Sequence, residues 1–169
     1  MANKQSFTPE EWTKILESVM LAGMAVSAAE PSGLWGLLKE GVASSSALAA
    51  AKSDSGSSEL IKAVVAEYET SEGRSSVQEA LRKRFSGAKP ADVVQRSLEN
   101  LREVSGILAA KAPGDAPGFK AWLNTISEKV AEASSERGFL GIGGVKVSDK
   151  EKATLADISK ALEMSTSSL

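Results

Sequence analysis

Hydrophobic residues recur every three or four positions along most of this chain, the spacing of one face of an α-helix. The clearest helix start is Thr8-Pro9-Glu10-Glu11, where Thr8 takes the N-cap position, Pro9 the first helical position and Glu11 the third, so that a capping box forms. An apolar stripe follows and predicts one buried face: Trp12, Ile15, Leu16, Val19, Ala22 and Val26. Pro31-Ser32-Gly33 is expected to end this helix.

The same periodicity predicts further helices, separated by short segments of Ser, Gly and Pro. One spans about Leu34 to Lys52 and is weakened by its glycines and by three consecutive serines. The others cover about Ser58 to Glu69, Ser75 to Phe85, Pro90 to Lys111, Pro117 to Arg137 and Ser148 to Leu162. Ser71-Glu72-Gly73 is expected to interrupt the helix that begins at about Ser58, and Ser75 with Gln78 is expected to form a second capping box for the next helix. Ser148 and Glu151 are expected to form a third capping box.

The predicted fold class is all-α, because only residues 145–147 alternate as a strand does. We expect one single-domain bundle of about six helices over residues 1–169, with residues 1–7 and 165–169 as flexible tails. A weak internal repeat leaves open the alternative that the bundle consists of two pseudo-symmetric halves. In it Trp12 is followed by Gly33-Leu34-Trp35-Gly36, and Trp122 by Gly138-Phe139-Leu140-Gly141.

Composition points to an ordinary soluble core and a mixed surface. Only 5% of the residues are aromatic, so the core is predicted to rest on Leu, Val, Ile and small residues that let helices approach closely. The net charge of the chain is −2, and its densest basic cluster is Arg82-Lys83-Arg84. Three basic residues on one helical turn favour a solvated helix face over a nucleic-acid groove. Two further sets are expected on solvated helix faces: Glu10, Glu11 and Glu17, and Arg74, Arg96 and Arg102.

The chain contains no histidine and no cysteine. This removes the commonest general base, the commonest metal ligand and the thiol nucleophile, and with them Cys–His and Ser–His–Asp catalysis and closed zinc sites. We therefore predict no catalytic, metal-ligating or cofactor-binding residue and no cofactor. The lack of cysteine fits a reducing cytoplasm, and no stretch approaches the roughly 20 apolar residues of a membrane span, so a bacterial-type cytoplasmic protein is expected.

Two segments combine bulky apolar residues with glycine, Gly33–Leu38 and Gly138–Val145. A phosphate cradle is disfavoured, because the second segment follows a helix and lacks Gly-Lys-Ser/Thr. Tight interhelical connections that plug the end of the bundle are the simplest interpretation. If both segments are exposed and adjacent, they form an interaction surface instead, with these candidate residues: Leu34, Trp35, Phe139, Leu140 and Ile142.

The region from Val130 to Leu162 resembles small uncharacterised bacterial all-α proteins. They share a Gly-Phe-Leu-Gly-Phe-Gly-Gly-Val loop, a Ser-x-x-Glu cap and a short C-terminal helix, and here Ile142 replaces the second Phe. The resemblance covers about a fifth of the chain. It implies a helical fold and no known activity.

The function expected from these patterns is a non-enzymatic helical module. It would self-associate or dock an unknown protein partner through the two apolar segments, and the few basic residues beside them favour a protein over a membrane surface. The alternative is a small-ligand-binding helical protein, or an enzyme that works without His or Cys through Arg, Glu, Asp, Ser and Tyr68. Partner, oligomeric state and biological process stay open at this point.

Overall fold

The computed structural model of the protein describes residues 2–29, 48, 57–136 and 147–164, with residues 133–136 described by their backbone. These residues form six α-helices, numbered here in chain order: α1 (Pro9–Ala29), α2 (Glu59–Glu69), α3 (Ser71–Arg84), α4 (Pro90–Lys111), α5 (Ala116–Glu136) and α6 (Asp149–Ala161). A short 3-10 turn, Lys4–Ser6, precedes them, and this described part of the chain contains no strand. The predicted all-α class is thus confirmed, whereas the predicted helix Leu34–Lys52 lies outside the described residues apart from Leu48.

Two of the three predicted capping boxes are confirmed. At the start of α1 the backbone N–H of Thr8 donates to Glu11 Oε2 over 2.8 Å, and the N–H of Glu11 donates to Thr8 Oγ1 over 3.2 Å. At the start of α6 the reciprocal bonds between Ser148 and Glu151 measure 2.9 and 3.2 Å. Each pair satisfies two backbone donors that the first turn of a helix leaves unpaired.

The capping box predicted at Ser75 and Gln78 is wrong, because α3 already begins at Ser71. Thr70 is the N-cap, and its hydroxyl oxygen accepts from the N–H of Gly73 over 2.9 Å. The corner between α2 and α3 is tight enough that a Cβ on Gly73 would lie 2.2 Å from the carbonyl oxygen of Glu67. Gly73 therefore permits the corner rather than interrupting the helix.

Helix α1 is the central element and packs against α3, α4, α5 and α6. The whole predicted stripe from Trp12 to Val26 is buried, as expected. However, the residues outside that stripe are buried as well: Glu17, Ser18, Leu21, Gly23, Ala25 and Ser27. The prediction of a single buried face is therefore wrong for α1, because neighbouring helices cover it from several sides.

Cross-helix contacts set the directions of the neighbouring helices. α4 runs antiparallel to α1, since Glu11 pairs with Lys111 over 2.6 Å and Lys14 pairs with Glu103 over 2.8 Å. α6 runs antiparallel to α5: Lys120 near the start of α5 lies 3.5 Å from Glu163 just after α6, and further along α5 Asn124 Oδ1 accepts from the earlier residue Ser159 over 2.9 Å.

α5 runs parallel to α1. The backbone N–H of Ala2, before α1, donates over 2.8 Å to Asp115, the residue before α5. Further along both helices, Ser127 donates to the carbonyl oxygen of Ala22 over 3.1 Å. The C-terminal ends of α1 and α5 consequently lie at the same end of the bundle, together with the N-terminal end of α6.

The structure describes residues 2–7 of the predicted flexible tail 1–7, and the two ends of this segment lie against the core. Ala2 and Phe7 are buried, and the Phe7 ring stacks on Trp12 with 6.0 Å between the ring centroids. The bond from Ala2 to Asp115 anchors this segment to the start of α5. The other predicted tail, residues 165–169, lies outside the described residues.

Candidate functional site

The five residues predicted to form an interaction surface lie outside the described residues: Leu34, Trp35, Phe139, Leu140 and Ile142. The same holds for the Gly-rich loop of the internal repeat and of the resemblance. Of the other two tryptophans, Trp12 is buried, and Trp122 is half-buried and meets Phe119 edge-on at 5.4 Å.

A polar cluster lies between α1, α3 and α4. Glu17 of α1 is only 3% exposed, and its carboxylate accepts two hydrogen bonds from Arg84, the last residue of α3. Arg84 Nε donates to Oε1 over 3.3 Å and Nη2 donates to Oε2 over 2.7 Å. Hydrogen bonds between two charged groups are stronger than those between neutral groups, and the paired geometry makes the contact specific for a guanidinium group.

This pair corrects two predictions, since Glu17 and Arg84 were both expected on solvated faces. The periodicity of each helix could not show that α3 crosses α1 at this point. One signal was present in the sequence: Glu17 is the only charged residue between Lys14 and Glu30. A lone charge within such an apolar helix calls for a partner from elsewhere in the fold.

Helix α4 contributes Asn100 to the same cluster, and buried Ser97 lies on the same helix face. Asn100 Nδ2 lies 3.4 Å from the carbonyl oxygen of Lys14 and 3.5 Å from Glu17 Oε2. Asn100 Oδ1 and Ser97 Oγ are fully buried and have no hydrogen-bond partner in the structure. Ser97 precedes Asn100 by three positions, which puts both on one face of α4. We call Glu17, Ser97 and Asn100 the acceptor cradle.

Tyr68 and Arg96 form hydrogen bonds at the edges of the cluster. The Tyr68 hydroxyl donates over 2.6 Å to the carbonyl oxygen of Leu16, next to Glu17. Burial, and secondly the negative charge of Glu17, raise the pKa of Tyr68 above its usual 10.0. Arg96 Nη1 donates to the backbone carbonyl of Arg84, so the end of α3 is bonded to both α1 and α4. Half-buried Arg96 therefore corrects its predicted place on a solvated face.

A second polar cluster joins α4 and α5 to the end of α6. Glu163 adopts a left-handed backbone with φ +53°, a position that glycine usually takes after a helix. Its carboxylate accepts from Ser105 over 2.8 Å and lies 3.5 Å from the Lys120 ammonium. The hydrogen bond from Ser105 and the charge of Lys120 hold the pKa of Glu163 below its usual range.

Charged side chains elsewhere also connect elements. Lys4 pairs with Glu67 over 3.0 Å, and the Glu11–Lys111 and Lys14–Glu103 pairs join α1 to α4. Within the described ranges there is no group of three or more Asp or Glu placed to hold a metal ion. Among the helices that the structure describes, none is both long and apolar enough to cross a membrane.

Comparison with known protein families, characterised proteins and solved structures gives no match for this chain.

Proposed function

We propose that the protein is a non-enzymatic helical module that self-associates or docks a protein partner at one end of its bundle. The contacts would come from the two apolar, Gly-rich segments, through five residues: Leu34, Trp35, Phe139, Leu140 and Ile142. The observation that carries the proposal is the parallel arrangement of α1 and α5, described above.

Each apolar segment follows closely in sequence after the C-terminal end of one of these two parallel helices. Leu34 follows the end of α1 at Ala29 by five residues, and Phe139 follows the end of α5 at Glu136 by three. A chain spans at most about 3.6 Å per residue, so Leu34 lies within about 18 Å of Ala29 and Phe139 within about 11 Å of Glu136. Both segments thus start from the same end of the bundle, which favours one joint apolar surface.

The use of the charged side chains supports a framework role. The pairs Glu11–Lys111, Lys14–Glu103 and Glu17–Arg84 each join two different helices. Their charges are satisfied by one another, and their common effect is to hold helices in place. Such a scaffold suits the presentation of binding segments at its end. We place this module in the bacterial cytoplasm, in keeping with the absence of cysteine and with the resemblance noted above.

Native mass spectrometry of the gently purified protein tests the proposal. We expect a clean multiple of the 17.6 kDa chain, or a complex with a co-purified protein. Phe139→Asp and Trp35→Ala should reduce the complex while the helical circular dichroism signal and the thermal midpoint stay close to those of the wild type. Ala109→Asp is the matched control, because it adds the same charge to an exposed position of α4 near the opposite end of the bundle.

The contrary outcomes are distinct. Global unfolding of Phe139→Asp and Trp35→Ala would show that these residues plug the core, and the interaction proposal would fail. Extra mass from a small adduct would favour the alternative, a small-ligand-binding protein.

A further inference from the structure

Helix α3 is attached to the bundle by few buried residues. Of its 14 residues only Gly73 and Val77 are buried, and most of the others are exposed polar side chains. Half-buried Leu81 and Arg84 continue the same docking face. An element with so little buried apolar surface opens locally at a lower free energy than the core helices do.

The end of α3 is held mainly by two polar contacts, from Arg84 to Glu17 and from Arg96 to the carbonyl oxygen of Arg84. Arg84 is 23% exposed and reaches inward to Glu17, whose side chain is 4% exposed. Removing two charges from water costs much of what their attraction returns, so such a pair contributes little net stability compared with apolar packing. It does specify which group can occupy the position. Arg84 is therefore better described as an occupant of the acceptor cradle than as a core residue.

The cradle offers more acceptor capacity than Arg84 uses. Glu17 supplies two carboxylate oxygens, and both accept from Arg84. Asn100 Oδ1 and Ser97 Oγ are buried on the adjoining face of α4 and stay unpartnered. A guanidinium group has five N–H donors in one plane and no acceptor, which matches a carboxylate flanked by further oxygen atoms better than an ammonium group does.

We propose that the acceptor cradle is a guanidinium-binding site, which the chain fills with its own Arg84 and which accepts an arginine side chain of a partner protein when α3 detaches. The corner at Thr70 and the turn after Arg84, where Gly87 has φ +68°, are the two ends about which α3 would move. This site shares no residue with the apolar segments of the proposed function, so either proposal can fail without the other.

Chemical rescue of Arg84→Ala tests the site itself. Ethylguanidinium chloride should raise the thermal midpoint of Arg84→Ala, because the ion can occupy the position of the lost guanidinium group. If that variant does not fold alone, recovery of its helical circular dichroism signal is the readout. The matched control is the double variant Glu17→Gln/Arg84→Ala, which lacks the carboxylate, with sodium chloride at equal ionic strength. Equal responses of the single and double variants would overturn the proposal.

Hydrogen exchange of the full chain tests detachment. In the wild type, amides of α3 should exchange faster than those of α1 and α4, and Glu17→Gln should speed α3 by about tenfold while leaving α5 unchanged. Added ethylguanidinium should also speed exchange in α3 of the wild type, since it competes with Arg84, but should have no such effect in Glu17→Gln. Exchange of α3 at the same rate as the core helices, or acceleration of all helices alike, would contradict the proposal.

Discussion

The hydroxyl oxygen of Ser127 in α5 lies 3.1 Å from the carbonyl oxygens of both Ala22 in α1 and Leu123 in its own helix. Two helix backbones come this near only where the side chains between them are small. Gly23 follows Ala22, and a Cβ there would lie 3.1 Å from Val130 Cγ2. Small residues thus set the distance between the two parallel helices, and fully buried Ser127 forms a polar bond across the contact.

Replacing glycines by alanine should show at which positions the fold requires the absence of a side chain. Gly106 is an exposed residue within α4, and a Cβ there would meet nothing within 4 Å. Gly106→Ala should raise the free energy of unfolding by about 1 kcal/mol, the difference in helix propensity. Gly73→Ala should lower it, because the new Cβ would overlap the carbonyl oxygen of Glu67 at 2.2 Å. Urea unfolding measures both, and a loss in Gly106→Ala would show that the position contacts something outside the described residues.

The Glu17–Arg84 pair should respond asymmetrically to substitution. Arg84→Met should cost about 3 kcal/mol of unfolding free energy, because it leaves a buried carboxylate without its cation. Adding Glu17→Leu to that variant should recover most of the loss, since the double variant buries no charge. Lys4→Met is the control: the Lys4 side chain is 60% exposed and its partner Glu67 20%, so solvent screens this pair more than the Glu17–Arg84 pair and the loss should stay below about 1 kcal/mol. If the double variant is no more stable than Arg84→Met, the carboxylate is not the source of the cost.

Tyr68 should make the protein sensitive to alkali. Its pKa is raised in the folded state, so the stability it contributes is complete below the unfolded pKa of about 10 and falls as the pH rises further. Because the chain has a single tyrosine, phenolate absorbance near 295 nm reports this one group. We expect the absorbance to rise together with the loss of helical signal. Titration of phenolate near pH 10 in a fully folded chain would contradict the assignment.

Tyr68→Phe is the companion variant for that measurement. It removes the 2.6 Å bond to the carbonyl oxygen of Leu16 and should cost about 1 kcal/mol at neutral pH. Above pH 10 the difference from the wild type should shrink, because the variant has no phenol to ionise. A difference that stays constant with pH would contradict the raised pKa.

Acid should weaken the protein through two carboxylates that join helices. The hydrogen bond from Lys111, and then that from the backbone of Thr8, lower the pKa of Glu11, as Ser105 and Lys120 do for Glu163. A lowered folded pKa means that the stabilising effect is present above the unfolded value of 4.5 and is lost as the pH falls through the folded one. Glu11→Gln and Glu163→Gln should therefore lower the thermal midpoint at neutral pH more than at pH 3. Equal losses at both values would show that the charge of neither group matters.

Helix caps provide a direct check on where the helices begin. Ser148→Ala should lower the unfolding free energy by about 1 kcal/mol, since it leaves backbone donors of the first turn of α6 unpaired, and Thr70→Ala should do the same for α3. Ser75→Ala should have almost no effect, because Ser75 is an exposed residue within α3 rather than its cap. Thermal unfolding of the three variants distinguishes the two possible starts of α3. A large loss in Ser75→Ala would contradict the start at Ser71.

Local chemistry made much of the fold predictable from the sequence. Pro90 and Lys111 bound α4 as expected, and the Thr8–Glu11 and Ser148–Glu151 boxes start their helices as expected. These features depend on residues within one turn of each other, so no distant part of the chain can change them. The start of α3 was missed since Gly73 looked like a breaker, while its actual role depends on how closely Glu67 approaches it.

The sequence by itself determined the helical class, most helix boundaries and the apolar faces, because backbone hydrogen bonding and side-chain periodicity are local. Only the tertiary structure decided that α1 lies at the centre, that α5 runs parallel to it and that Glu17 meets Arg84, 67 positions along the chain. Those outcomes depend on which faces pack together, and a periodic pattern states that a face is buried without stating against what. The acceptor cradle is of this second kind, since its three residues come from two helices and its occupant from a third.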